Sequence, residues 1–196
     1  MDSDSALLSL RVPRGAARGF TLVELMAVVA IVAILGLLAT VGIGKYIRSS
    51  KTSEATTMIG SIKIAQEEYL QDTFTYKDIS GAGKLEGYGT FYPATTPLKS
   101  GKKIAWGAGT DAVANGWREL GVNPSAPVMY IYGCAAGPGS AVPAAPGITI
   151  GNYPTSATGK PWYLIKAVAD LDGDGTEGTF IGTSLPAEIF SDKPEE

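Results

Sequence analysis

The sequence contains no histidine and only one cysteine, Cys134, among its 196 residues. A single cysteine excludes an intramolecular disulfide, and a chain without histidine lacks a common zinc ligand and the usual general base at neutral pH. The sequence also has no G-x-S-x-G nucleophile motif and no phosphate-binding glycine loop. These absences predict a protein that is not an enzyme and needs no cofactor for catalysis, with Cys134 as a buried structural residue.

Strong charge of either sign is missing as well. The 16 lysines and arginines against 19 aspartates and glutamates leave a net charge of −3. A mildly acidic chain gives no indication of a nucleic-acid partner, because proteins that bind nucleic acids present basic surfaces to the phosphates. The 25 glycines and 12 prolines predict a domain with many loops.

One long apolar run contrasts with this composition. It covers the 24 residues from Phe20 to Ile43 and contains one charged residue, Glu24. At about 1.5 Å per residue, a helix of this length measures roughly 36 Å, which is enough to cross the hydrocarbon core of a membrane. A carboxylate in hydrocarbon costs roughly 2.5–3.5 kcal/mol at the helix centre, so its presence indicates a function. Glu24 lies near the start of the helix, where the positive end of the helix dipole favours it.

The segment around Glu24 reads Arg-Gly-Phe-Thr-Leu-Val-Glu-Leu over residues 18–25. It resembles the N-terminal signal of type IV pilins and their relatives. The resemblance implies that a membrane peptidase cuts after Gly19 and methylates the new terminal residue, Phe20, and that Glu24 acts in assembly. The cut would also create a terminal ammonium, mostly charged at neutral pH, as a counter-ion for Glu24. The alternative is an ordinary signal anchor in which the glutamate is accidental.

Past residue 44 the helical pattern continues with a different character. Apolar residues recur every three or four positions, which predicts an amphipathic helix that packs on a sheet. This stripe consists of Ala55, Met58, Ile59, Ile62, Ala65 and Tyr69. Trp106 and Trp117, beyond the helix, are predicted to lie in the core, with an adhesive surface as the alternative.

The predicted organisation therefore has three parts. They are a leader over residues 1–19, a transmembrane and assembly helix over 20–44, and a globular domain over 45–196. The globular domain is divided into an amphipathic helix (45–72), a variable connection (73–126) and a β-sheet region (127–196).

Segments rich in β-branched and aromatic residues predict the strands of the sheet region. They are Val128–Tyr132, Trp162–Ala169, Thr179–Gly182 and Ala187–Phe190. The second segment is apolar at nearly every position, so one of its faces should meet the helix and the other should be covered by loops or by another subunit. The predicted fold class is α+β and pilin-like: a long N-terminal helix, half of it transmembrane, packed on an antiparallel sheet of about four strands.

An acidic turn lies between two of the predicted strands. Asp170, Asp172 and Asp174 occupy alternate positions and are followed by a glycine, which matches the first half of a calcium loop. The second half differs, because Ile181 stands where an EF-hand has its bidentate glutamate. Repulsion among the carboxylates would favour a calcium ion, with Glu177 as a further ligand. The alternative is a solvated hairpin turn in which Asp and Gly serve the backbone geometry.

The pilin resemblance implies a structural subunit of a type IV pilus-like filament. Its partners would be the prepilin peptidase, other pilin subunits packed in a helical array and the membrane assembly machinery. The chain would lie in the inner membrane, with its globular domain outside the cytoplasm, before it enters a surface or periplasmic filament. A pseudopilin of a type II secretion system is a second interpretation, and a membrane-anchored binding protein is a third.

Overall fold

The computed structural model describes residues 19–107, 109–139, 159–185 and 188–194, without the side chains of residues 41, 44, 45 and 48. The chain divides into two compact units, Met1–Gly42 and Ile43–Glu196. The predicted leader, apart from Gly19, lies outside the described residues.

Helix α1 spans Leu22–Thr73 and contains 52 residues. Within the first unit, Leu22–Thr40 is long and apolar enough to cross a membrane, and none of its side chains is buried by the protein. Leu22 is 74% exposed and Leu37 is 71% exposed. The core helix of a soluble protein would bury such side chains, because apolar area left in water forfeits about 25 cal/mol per Å². The surroundings that suit this segment are lipid or other apolar helices.

Within the second unit, α1 buries one face. Met58, Ile59 and Ile62 are at most 7% exposed and belong to one apolar cluster with the sheet. Their spacing of one to four residues places them on one side of the helix. The predicted stripe is therefore confirmed. Its other members are Ala55, which is buried, and Ala65 and Tyr69, which are partly buried against the same cluster.

The strands of the described part of the chain form one four-stranded antiparallel sheet in the order β1-β2-β3-β4. Each strand pairs with the one that follows it in the sequence. Together with α1, this sheet confirms the predicted α+β fold class. The strands are β1 (Ile131–Gly137), β2 (Trp162–Ala169), β3 (Gly178–Thr183) and β4 (Ile189–Asp192).

Alternate residues of β2 belong to two separate apolar clusters, because successive side chains of a strand point to opposite faces of a sheet. One cluster contains the stripe of α1. The other contains residues of the connection, among them Leu85, Phe91 and Leu98. Loops of the same chain therefore cover the second face of the sheet. The β2 residues on the α1 side are Tyr163, Ile165, Ala167 and Ala169, and those on the other side are Trp162, Leu164 and Val168.

The first strand does not lie where the sequence predicts it. The prediction was Val128–Tyr132, whereas β1 begins at Ile131 and continues to Gly137. Val128 instead exchanges two backbone hydrogen bonds of 2.9 Å with Ile104 in the connection. The start of the predicted strand therefore pairs with the connection and not with the sheet.

Close packing explains why residues of low strand propensity form most of β1. A Cβ atom at Gly133 would lie 2.9 Å from Leu85 Cδ2, and one at Gly137 would lie 2.7 Å from the Trp162 ring. Larger side chains would collide with these buried neighbours. Propensity favours large β-formers in strands, but here the tertiary contacts require small residues.

The other strand boundaries lie closer to the predictions. The second strand has the predicted bounds, and β3 is one residue longer at each end. The fourth predicted segment overlaps β4 at its last two residues, and residue 187 lies outside the described part.

A short helix in the connection, α2 (Ala112–Glu119), has no counterpart in the predictions. Asp111 caps it, because its side chain accepts a hydrogen bond of 2.8 Å from the Ala114 backbone N–H. The helix buries Trp117 completely, and Trp106 meets that ring edge-on at 5.4 Å. The prediction that these aromatics lie in the core is confirmed for Trp117, and Trp106 packs against the core while remaining partly exposed.

Candidate functional site

A hydrogen-bonded capping box closes the N-terminus of α1. The Thr21 hydroxyl accepts a hydrogen bond of 3.2 Å from the Glu24 backbone N–H. In return, the Glu24 carboxylate accepts hydrogen bonds of 2.9 Å from the Thr21 backbone N–H and from the Thr21 hydroxyl. This reciprocal pair satisfies two backbone donors that have no partner inside the helix. Glu24 therefore has a structural role at the N-terminal end of the apolar segment.

Capping leaves part of the Glu24 carboxylate free. Both Thr21 donors reach the same oxygen, Oε2, and no hydrogen bond from the described residues reaches Oε1. The second oxygen can therefore accept a further donor without loss of the cap. The T-x-x-E pattern of a capping box is readable in the sequence, so Thr21 is a site residue that spacing alone could have identified.

The predicted cleavage site, between Gly19 and Phe20, lies on the surface. Gly19 is exposed and Phe20 is 86% exposed. A Cβ atom built on Gly19 would have no atom within 4 Å. The described part of the chain therefore imposes no steric need for glycine at this position.

The acidic turn, residues 170–177, connects β2 to β3 as a hairpin loop. It brings Asp170, Asp172 and Asp174 together, since one carboxylate oxygen of each lies within 4.8 Å of the others. Carboxylate oxygens at this spacing are the ligands that calcium prefers. The three predicted aspartates thus form a group that could hold a metal ion.

The same carboxylates also hold the turn together. Asp170, only 1% exposed, accepts hydrogen bonds from the backbone N–H groups of Gly173 at 2.7 Å and Gly175 at 3.1 Å. Asp174 accepts one of 2.6 Å from the Thr176 N–H, and this bond lowers the pKa of Asp174. Hydrogen bonds to a carboxylate favour its charged form. The turn is therefore ordered by its own backbone donors.

Glu177 is not part of the group formed by the three aspartates, although it borders the same cleft as Asp170. Its carboxylate accepts a hydrogen bond from the Tyr88 hydroxyl. The Lys166 ammonium lies 5.6 Å from the centre of the Tyr88 ring. Burial lowers the pKa of Lys166, and the negative charge of Glu177 opposes that shift. Glu177 thus forms a hydrogen bond with the residues that cover the second face of the sheet. The structure does not group it with the other predicted metal ligands.

Two lysines tie the acidic turn to its neighbours. Lys51 of α1 donates a hydrogen bond of 3.4 Å to the Leu171 carbonyl oxygen. The Lys99 ammonium lies 4.0 Å from Asp170 Oδ2, and the next residue, Ser100, donates its N–H to the Asp170 carbonyl oxygen at 2.9 Å. The turn is therefore anchored both to the helix and to the connection.

The single cysteine is structural, as the sequence predicts. Cys134 is fully buried on the α1 side of β1, and Gln66 Nε2 lies 3.1 Å from its sulfur atom. Burial raises the pKa of the Cys134 thiol to about 12. A thiol that stays protonated at neutral pH is a poor nucleophile.

Comparisons with known proteins agree with the geometry at the start of α1. The family model of the prokaryotic N-terminal methylation motif matches residues 14–40. A protein of Myxococcus xanthus (strain DK1622), described as type IV major pilin protein PilA, is 41% identical over 66 residues. That alignment covers 32% of this chain and 29% of the relative. No solved structure matches the chain significantly.

The matched residues contain both the capping box and the exposed apolar segment Leu22–Thr40. The sheet packed on the second part of the same helix is consistent with an α+β pilin-like fold. The chain carries the N-terminal methylation motif and is similar to a type IV major pilin over about a third of its length.

Proposed function

We propose that this chain is a structural subunit of a type IV pilus-like filament. The proposal is carried by one observation: the capping box of Thr21 and Glu24 opens a helix whose apolar side chains are exposed over Leu22–Thr40, and both lie in the matched motif. Such a surface is unstable in water and suited to lipid before assembly and to other helices after it. The chain has no catalytic role in this proposal.

Processing would convert the membrane-held precursor into the subunit that assembles. A prepilin peptidase would cut the exposed bond after Gly19 and methylate the amino group of Phe20. The new ammonium would lie at the start of α1, close to the capping box. Glu24 Oε1, to which no described residue donates, would accept this ammonium from a neighbouring subunit. The pair would neutralise two charges that are each costly in an apolar surrounding.

The apolar segment would pack against copies of itself in the filament. A Cβ atom on Gly36 or Gly42 would have no atom of the described chain within 4 Å. The described fold of a single chain therefore does not require glycine at these two positions. Small residues of this kind let apolar helices approach closely. The globular domain, with its sheet and connection, would then lie outside the cytoplasm.

Two related functions share the same N-terminal chemistry. A pseudopilin of a type II secretion system would be processed and assembled in the same way, but its filament would remain periplasmic. The matched relative is described as a major pilin, which favours a surface pilus. A membrane-anchored binding protein would keep the helix in lipid and would form no filament at all.

The test compares the wild-type chain with Glu24→Gln in the cells that produce it. Filaments sheared from the surface should contain a chain that begins at Phe20 with a methylated amino group, as mass spectrometry will show. Glutamine keeps the T-x-x-Q capping box but removes the charge. An unpaired ammonium in an apolar surrounding costs roughly 2.5–3.5 kcal/mol, which predicts on the order of a hundredfold less filament from the variant. Membrane insertion of the variant should be normal.

Two outcomes would contradict the proposal. An intact leader on assembled protein would exclude the processing step. Wild-type yields of filament from Glu24→Gln would show that the charge of Glu24 has no role in assembly. Processed protein that is found only in the membrane or the periplasm would favour one of the two related functions instead.

A further inference from the structure

The turn between β2 and β3 contains two Asp-Gly bonds, Asp172-Gly173 and Asp174-Gly175. The backbone requires glycine in both, because φ is 86° at Gly173 and 94° at Gly175, a region that other residues disfavour. A Cβ atom on Gly173 would also lie 2.3 Å from the Ser100 hydroxyl oxygen. The fold of the turn therefore keeps a glycine after each of two exposed aspartates.

Asp-Gly bonds are chemically labile in a flexible chain. The backbone nitrogen of the glycine loses its proton and attacks the Cγ atom of the preceding aspartic acid. A C–N bond forms, and one carboxyl oxygen leaves as water. Water then opens the cyclic imide: hydrolysis at Cγ restores aspartate, whereas hydrolysis at the backbone carbonyl gives isoaspartate, in which the main chain runs through the side chain. Glycine favours the attack because it has no Cβ atom to hinder the nitrogen.

The Asp170 carboxylate engages both of the attacking nitrogens. Its Oδ1 accepts a hydrogen bond of 2.7 Å from the Gly173 N–H, and its Oδ2 accepts one of 3.1 Å from the Gly175 N–H. A nitrogen that donates to a carboxylate keeps its proton more firmly, because the negative charge disfavours an amide anion beside it. Asp170 is only 1% exposed, so its carboxylate is shielded from water that would compete for it.

The backbone of Asp170 is fixed by the connection, outside the turn. Its N–H donates a hydrogen bond of 3.0 Å to the Leu98 carbonyl oxygen, and its own carbonyl oxygen accepts one of 2.9 Å from the Ser100 N–H. The acceptor therefore keeps its position independently of the two glycines.

The carboxyl groups that would be attacked are engaged as well. Asp172 Oδ1 accepts a hydrogen bond of 3.1 Å from the Asp174 N–H, and Asp174 Oδ1 accepts one of 2.6 Å from the Thr176 N–H. The second bond lowers the pKa of Asp174, so less of this carboxyl group is in the protonated form from which water can leave. Both reactants, the nitrogen and the carboxyl group, are thus held in other hydrogen bonds.

We propose that Asp170 protects Asp172 and Asp174 from isomerisation to isoaspartate. The two aspartates are latent modification sites, and they react when the hydrogen bonds of the turn open. Isoaspartate adds one carbon atom to the main chain between β2 and β3. It also displaces a carboxylate from the group that could hold a metal ion.

The first test compares the folded with the unfolded chain. Full-length protein is incubated in detergent and EDTA at neutral pH, with and without denaturing urea. Mass spectrometry with electron-transfer fragmentation then locates isoaspartate in the tryptic peptide that begins at Ala167. Because each attacking N–H must first leave a charged acceptor, the folded chain should react on the order of 10–100-fold more slowly. Equal rates in the two states would overturn the inference.

The second test removes the acceptor. Asp170→Ala frees both glycine nitrogens, so isoaspartate at Asp172 and Asp174 should form nearly as fast as in the unfolded chain. Gly182→Ala is the control for lost stability, because its new Cβ atom would lie 2.5 Å from Ile59 Cγ2, near the end of β3 that is remote from the turn. This control keeps Asp170 and should react at the wild-type rate. A wild-type rate in folded Asp170→Ala, or equal rates in the two variants, would contradict the proposed protection.

Asp170→Asn covers the case in which Asp170→Ala does not fold. Asparagine has nearly the same size but only one acceptor oxygen, so one of the two glycine N–H groups loses its partner. Isoaspartate should then increase more at one of the two aspartates than at the other. Wild-type rates at both positions in a folded Asp170→Asn chain would show that Asp170 does not protect the turn.

Discussion

Gly182 on β3 lies at a point of close approach between the sheet and α1. A Cβ atom at this position would lie 2.5 Å from Ile59 Cγ2, well inside van der Waals contact. Ile59 is fully buried in the cluster that joins the helix to the sheet, so it has little room to move. Overpacking of a core costs about 1–3 kcal/mol. Gly182→Ala should therefore lower the free energy of unfolding by that amount.

Thermal unfolding of a fragment that starts near residue 45 would measure this effect. The fragment contains nearly all of the second compact unit, and we expect it to fold alone. For a domain of this size, about 1–3 kcal/mol lowers the melting temperature by roughly 2–12 °C. Gly60→Ala is the matched control: its Cβ would meet nothing within 4 Å, and alanine in a helix should stabilise the domain by about 0.5–1 kcal/mol.

A double-mutant cycle would locate the cause of the effect. Ile59→Ala removes the atom that the new methyl group would meet, and alone it should cost about 2–5 kcal/mol. If the collision is the cause, the double variant should lose less stability than the sum of the two single variants. A Gly182→Ala fragment that melts like the wild type would refute the packing of α1 against β3 at this point.

Two further predictions concern the stripe of α1 and the acidic turn. Ile62→Asp should destabilise the same fragment by several kcal/mol because it buries an unpaired charge. Ile64→Asp is the control and should have little effect, because Ile64 is 63% exposed. Equal melting temperatures of the two variants would contradict the assignment of Ile62 to the buried face of α1. Millimolar calcium should stabilise the fragment by roughly 0.4–1.4 kcal/mol over EDTA if the aspartates bind it with a Kd of about 10⁻⁴–10⁻³ M. Asp172→Ala should abolish that shift and magnesium is the control, so equal responses of wild type and variant would show that the turn binds no calcium.

Structural elements that depend only on residues close to one another in the chain could be predicted from the sequence. The apolar run and the stripe of α1 follow from residue type and helical period, so their roles in the fold were predictable. The second strand was predictable because its residues are apolar on both sides, and the two clusters it joins bear this out. The capping box was equally local, since it needs only Thr21 and Glu24 three residues apart.

Elements that depend on distant neighbours could not be read in this way. The strand β1 pairs with β2 although it contains glycine and alanine, and Leu85 and Phe91 leave no space for a side chain at Gly133. The sequence predicts Glu177 as a further ligand because it lies in the same turn as the aspartates. Its carboxylate accepts a hydrogen bond from Tyr88, which is 89 positions away in the sequence, and no local pattern indicates that contact.

The sequence by itself determined three features: the apolar first part and amphipathic second part of α1, the presence of the second strand, and the capping box at the start of α1. Each of these depends on residues within a few turns of helix or one strand, where period and residue type act directly. Only the tertiary structure decided which loops cover the second face of the sheet, which carboxylates converge in the acidic turn, and where the first strand begins. These features arise from close packing between segments far apart in the chain, and packing of that kind leaves no periodic pattern in the sequence.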